Sequence, residues 1–231
     1  MRQVVLDTET TGMRVEDGNR IIEIGCIEMI NRRITNKHFH VYLNPDRDVE
    51  AGAQAVHGIT AEFLKDKPRF AEIVDELMAF VSGAELIIHN APFDLAYIHA
   101  EFALTKRAWK DMSAYCAIID TLQMARRMHA GQRNNLDALC KRYGVDHSKR
   151  EHHGALLDAD LLAQVYLAMT GGQSSFFDTT ETTTTTVTQS AQTVLSSGRQ
   201  ALFVLKADQA ELAEHDRYLE LLKKKGQCVW E

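Results

Sequence analysis

The chain has 231 residues, 45% hydrophobic and 25% charged, with a formal net charge of −6. That is apolar material for one medium-sized core plus an appendage, held without disulfides or structural metals. Cys26, Cys116, Cys140 and Cys228 are scattered with no C-x-x-C pair, which reads as reduced structural thiols in an intracellular compartment.

Met1 runs almost directly into Val4-Val5-Leu6 and Asp7, so no signal peptide is expected ahead of the fold. No apolar run approaches the roughly 20 residues of a membrane span. The expectation is a cytoplasmic protein with no membrane partner. Net acidity argues against a broadly basic nucleic-acid surface, but the charge is uneven. Between Lys106 and Arg150 ten basic residues face four acids. Such a segment could grip phosphates locally, or its charges could sit on solvated helix faces. Sequence clustering leaves both open.

In chain order, residues 3–9 read as a short buried strand. Ile21 to Ile30 and Ile34 to Leu43 are two more, joined as a hairpin around Asn31-Arg32-Arg33. From Phe70 to Val81 the apolar positions Ile73, Val74, Leu77, Met78 and Val81 have helical spacing. Leu86-Ile87-Ile88 is a strand, followed by a helix over Phe93–Leu104. Cys116 to Ile119 is the last strand, and helical stretches cover 121–129, 135–143 and 155–168. Strands alternating with helices after a hairpin predict an α/β fold, a mixed sheet covered by helices. Gly171-Gly172 closes this region. The Thr/Ser/Gln-rich stretch that follows is expected to be a flexible linker over 179–199. Patterned apolar residues return over 200–231, where Asp208 and Glu211 make a capping-box start and Lys223-Lys224-Lys225 before Gly226 make a helix end. So short a segment needs a partner to fold against.

Three short patterns carry chemistry. Asp7-Thr8-Glu9 sets two carboxylates at i and i+2 of a strand, on one face, a beginning for an oxygen-loving cation. Asp94, in Asn90-Ala91-Pro92-Phe93-Asp94, falls after a strand at a helix entry, where α/β sheets bind ligands; a helix-capping role is the plain alternative. His153 precedes Asp158 by five residues, and Asp158 adjoins the stripe Leu157, Leu161, Val165. His89 and Asp94 repeat that spacing, so it is weak alone. His152 reads as an ordinary surface side chain.

In this order and context, D-x-E, N-x-x-F-D and H-x₄-D resemble the three motifs of the DEDD exonuclease superfamily, in its histidine-containing branch. Val5–Gly12, Ala55-Val56-His57-Gly58-Ile59 and Asn134–Cys140 resemble, over nearly the whole chain, the epsilon-subunit family of bacterial DNA polymerase III. The resemblance implies a ribonuclease H-like, mixed five-stranded sheet flanked by helices over 1–172. It implies two divalent cations, Mg²⁺ or Mn²⁺, on Asp7, Glu9, Asp94 and Asp158, and His153 as general base. The activity implied is 3′→5′ proofreading on the single-stranded primer terminus, at replication forks on the nucleoid. By the same analogy Asp7, Glu9, His57 and Asp158 line the substrate pocket, although a structural role for His57 is equally open.

Gln173, Phe176 and Phe177, within 173–178, are similar to sliding-clamp-binding peptides; the alternative is that the rings fold back on the domain. The family partner for the 200–231 tail is the polymerase catalytic (alpha) subunit, with room for a small third core subunit. An RNA-trimming exonuclease of the same superfamily and a non-catalytic structural subunit are the competing functions.

Overall fold

The first three strands form an antiparallel meander. Strand β1 (Arg2–Thr10) pairs with β2 (Ile21–Ile30), and β2 with β3 (Arg33–Tyr42). Between β2 and β3, Asn31 and Arg32 take positive φ of 49° and 63°, as a two-residue primed turn requires. Next come α1 (Ala51–His57), α2 (Ala61–Leu64), α3 (Phe70–Val81), β4 (Glu85–Ile88) and α4 (Ala91–Leu104). The strand β5 (Ala117–Asp120) and helices α5 (Thr121–Met128), α6 (Leu136–Tyr143) and α7 (Ala155–Thr170) follow. This computed structural model describes residues 1–148, 152–171 and 208–225.

The chain divides into two units, Met1–Thr180 and Glu181–Glu231. In the second, the described element is helix α8 (Gln209–Lys225), which opens on the expected box: Glu211 N–H donates to Asp208 Oδ1 and Asp208 N–H to Glu211 Oε2. Gln173, Phe176, Phe177 and the 179–199 stretch lie outside the described residues, as do 200–207 and Gly226 onward. No described helix is long and apolar enough to cross a membrane.

The sheet has five strands in the order β3-β2-β1-β4-β5, with β4 and β5 parallel to β1. Because side chains alternate across a strand, β1 serves two cores. Val4 and Leu6 pack with α3 and α4 residues such as Val74, Leu77 and Ile98. Val5 faces the other way, into a cluster with Leu139, Leu162 and Val165 of α6 and α7. Buried Glu101 of α4 ties this body to the start of β2, accepting from Arg20 Nε and Nη2 at 2.7 Å each and from Ile21 N–H at 3.3 Å. Cys26, Cys116 and Cys140 are buried.

Two features differ from the sequence expectation. Helices α1 and α2 were not anticipated; their buried residues are only His57 and Leu64, so they carry no apolar period to detect. On α7 the inward face runs through Asp158, Leu161, Leu162 and Val165, with Leu157 only partly buried. Asp158 is therefore within the buried stripe, because α7 lies across both β1 and β2 and presents a wide face to them.

That crossing is close. A Cβ at Gly25 of β2 would lie 2.3 Å from the Ala155 carbonyl carbon and 2.3 Å from the Leu156 nitrogen. Both are backbone atoms, so the helix itself would have to move. Gly25→Ala is expected to destabilise the fold by about 1–3 kcal/mol, the usual range for overpacking, and to lower nuclease activity by displacing Asp158. Urea unfolding midpoints check the first effect; an unchanged midpoint would show that α7 is not seated this tightly.

Candidate active site

The pleat of β1 distributes the candidate carboxylates. Asp7 and Glu9 are half-buried and follow Val5 on the α7 side, whereas Thr8 is buried between them on the α4 side. From α7, Asp158 comes up with its side chain 3% exposed, and His153 Nδ1 lies 3.3 Å from its Oδ2. His153 sits on the turn before α7, as expected, with its side chain 44% exposed. Its backbone N–H donates to the Val56 carbonyl, anchoring the turn to α1.

Asp94 arrives from the other face. Asn90 breaks from β4 into α4 at φ 69°, and Pro92 occupies the first turn, where its missing N–H costs nothing. One turn in, Asp94 is buried, and Thr8 Oγ1 donates to its Oδ1 at 2.7 Å. Burial pushes the Asp94 carboxyl up to about 7, while the Thr8 hydroxyl and the amides of Asp94 and Thr8 hold it back in part. The capping alternative leaves that burial unexplained, since an exposed acid would serve a helix dipole as well.

Asp7, Glu9, Asp94, His153 and Asp158 thus meet in one cleft of about 250 Å³ at the carboxyl end of β1. Glu9, His153 and Asp158 each offer one ligand atom, all within 4.8 Å of one another. The donor set is carboxylate oxygen with one imidazole, which fits Mg²⁺ or Mn²⁺. His152 is exposed beside the Gly58 turn, outside this cleft.

His57 is not among the residues that line the carboxylate cleft. It is buried, its Nδ1 accepts from Ile59 N–H at 3.0 Å, and so the ring proton belongs on Nε2. Burial pushes its imidazole below the ordinary range against the pull of the Thr10 carbonyl and Glu23. With Thr10, Gly12, Met13, Val56 and Phe93 it lines a recess of about 130 Å³ that shares Thr8, Glu9 and Phe93 with the carboxylate cleft.

Sequence reasoning missed several wall residues. His89 lines the same cleft as Asp94, although its spacing to Asp94 marks the pattern as commonplace. Thr8 sits between two acids, and only the fold brings it to Asp94. Asn135 and Asp137 also line the cleft; Asn135 caps α6 through Ala138 N–H, a signal that was present in the sequence.

A family model described as Exonuclease (RNase_T) matches residues 4–166. The DNA polymerase III subunit epsilon of Escherichia coli K12 is 52% identical over 236 residues, covering 99% of this chain and 97% of that protein. The subunit epsilon of Rickettsia felis is 46% identical over 224 residues, covering 97% and 98%. Among solved structures, Exonuclease X in complex with 5′ overhanging duplex DNA aligns at TM-score 0.57 and 25% identity, over 73% of this chain and 91% of that one. The nuclease domain of 3′hExo, a DEDDh family member bound to rAMP, aligns at TM-score 0.62 and 16% identity, over 73% and 90%. The fold is ribonuclease H-like, and exonucleases of this fold use divalent metal ions. Matched by the exonuclease model over most of its length and by its relatives nearly end to end, the chain belongs to the exonuclease family and, within it, to the epsilon-subunit family of DNA polymerase III.

Proposed function

We propose that this protein removes mispaired nucleotides from a primer 3′ end by hydrolysis at two divalent cations, Mg²⁺ or Mn²⁺, held by Asp7, Glu9, Asp94 and Asp158. Exonuclease activity follows from the family. The observation that carries the two-cation reading is the meeting of four carboxylates and His153 in one cleft. Acids this close repel one another, and bound cations relieve that repulsion. When bound, the cations supply a nucleophilic water near neutral pH and neutralise charge on the phosphate.

His153 has the exposure and the position to take the proton of the attacking water. Imidazole is the side chain most often used for that work, and Asp158 Oδ2, 3.3 Å from Nδ1, orients the ring. Distance alone would also allow His153 as a ligand with Glu9 and Asp158. Hard cations prefer the oxygens, which favours the base. The recess at His57 and the Thr10-Thr11-Gly12 turn is the natural seat for the terminal nucleoside. Preference for mismatches needs no reading residue, because a mispaired end unstacks at lower cost.

The family places the protein in a DNA polymerase III complex. Leu212, Tyr218 and Leu221 of α8 are exposed, which suits a tail that docks on the polymerase catalytic subunit. Residues 179–199, read from the sequence as a linker, would join that tail to the nuclease and raise its local concentration. Gln173, Phe176 and Phe177 remain the proposed sliding-clamp contact. The protein then works in the cytoplasm, at forks on the nucleoid.

Asp7→Ala or Asp158→Ala is expected to abolish metal-dependent degradation of a 3′-mismatched primer and to weaken Mn²⁺ binding in calorimetry; wild-type rates in either variant would sink the two-cation assignment. His153→Ala should keep Mn²⁺ binding yet slow hydrolysis by roughly 10²–10⁴, while His152→Ala changes little. Sensitivity at His152 instead would overturn the base assignment. Removing residues 179–231 should spare degradation of single strands but end co-purification with the polymerase catalytic subunit. Undiminished association of the truncated chain would refute the tether.

A further inference from the structure

A cleft of about 940 Å³ lies between the β4–α4 junction and the loop joining α5 to α6. Its walls include His89, Asn90, Arg126, Gln132, Arg133 and Asn135. It shares His89 and Asn135 with the carboxylate cleft. That cleft in turn shares Thr8, Glu9 and Phe93 with the His57 recess. Recess, carboxylates and large cleft therefore form a row, with the proposed chemistry in the middle.

The charge of the large cleft is set by two arginines. Arg126 and Arg133 are exposed, and neither guanidinium has a hydrogen bond or ion pair among the described residues. Their neighbour Arg142 is committed differently: Nη1 donates to Asn134 Oδ1 at 3.0 Å and Nη2 to the Arg133 carbonyl at 2.8 Å. Buried Asn134 also donates to the carbonyls of His129 and Gln132. The loop is thus clamped from beneath by two side chains, so that Arg133 is presented from a braced backbone. Only Leu122 and Ala130 supply apolar side chains to the lining. Free guanidinium forks and amides, with His89 the one ring in the lining, suit phosphate oxygens ahead of bases. Sequence-independent grip is what a nuclease acting on any primer needs.

We propose that this cleft holds the phosphodiester backbone of the DNA strand on the 5′ side of the scissile bond, with Arg126 and Arg133 as its phosphate contacts. The proposal rests on the exonuclease reading above. A terminal nucleoside in the recess puts the scissile phosphate at the carboxylates, and the rest of the strand then leaves along the row through the cationic cleft. It also gives the basic 106–150 segment a partial resolution. Arg126 and Arg133 serve the strand. Arg142 serves the loop, and Arg107 pairs with Asp75 at 2.7 Å elsewhere on the surface.

The test compares the full-length wild type with Arg126→Gln/Arg133→Gln on two substrates. One is a short oligothymidylate. The other is the p-nitrophenyl ester of thymidine 5′-monophosphate, which has no nucleotide on the 5′ side of the scissile bond. The double variant is expected to raise KM for the oligonucleotide by about tenfold or more, with kcat nearly unchanged. Fluorescence anisotropy in chelator should show matching loss of oligonucleotide affinity, with the log–log salt slope shallower by about 1.4 for two lost contacts. Kinetics on the ester should match wild type. Arg127→Gln, whose side chain lines a separate depression with Met124 and Met128, should behave as wild type on both substrates. Equal loss on ester and oligonucleotide, or an unaltered salt slope, would overturn the cleft assignment while leaving the exonuclease reading intact. A wild type inert toward both substrates in Mg²⁺ and Mn²⁺ would overturn the exonuclease reading and the cleft with it.

Discussion

Four carboxylates are gathered at one end of β1, and nothing in their own chemistry favours that arrangement. Asp94 and Asp158 are buried, Asp7 and Glu9 half-buried, and like charges in such surroundings raise one another's energy. Burial pushes the Asp94 carboxyl up, and the like charge of Asp120 adds to it. The fold must therefore hold the acids against their tendency to separate, and much of the architecture can be understood as the means. Parallel strands β4 and β5 end level with Leu6, while β1 runs on to Thr10, so chain segments from both faces of the sheet can converge beside its last residues.

The two faces supply their acids through different contacts. On one, the α7 backbone seats against Gly25 of β2, where the lack of a Cβ lets the helix approach closely. That approach brings Asp158 to the same side of the sheet as Asp7 and Glu9. On the other, α4 is secured by Glu101 to Arg20 and Ile21, and its first turn delivers Asp94 to the Thr8 hydroxyl. A strand with successive residues on opposite faces thus serves both helices at once: Asp7 and Glu9 face one, Thr8 the other. Divalent cations at this point would turn the repulsion into coordination.

Electrostatics also divides the surface. Four carboxylates meet at the proposed hydrolytic centre, while the guanidinium groups of Arg126 on α5 and Arg133 on the α5–α6 loop, unpaired among the described residues, flank it. Such a division lets an acidic protein hold a polyanion beside a cluster of carboxylates, provided the strand is steered by the flank and the centre carries its cations. It also suits a nuclease whose hold on DNA is aided by its membership of a larger complex, since a few phosphate contacts confer only modest, salt-sensitive affinity.

Periodicity and turn chemistry determined most of the secondary structure from the sequence. The Phe70–Val81 helix has the bounds its apolar spacing predicts, and the β2–β3 hairpin turns at Asn31-Arg32. Both are local effects, set within a dozen residues. The carboxylate and histidine patterns were visible as well, yet each was weak alone, and only their order linked them to a family. Tertiary structure decided the rest. The helices α1 and α2 carry no apolar period. Thr8 meets Asp94 across 86 positions, and His89, dismissed by a repeated spacing, lines the site. Of the basic residues between Lys106 and Arg150, some brace loops or pair with acids, and Arg126 and Arg133 remain to line a cleft. Spacing along a chain reports which face a side chain occupies, but which distant groups share a cavity depends on how those faces pack, and that is a property of the folded whole.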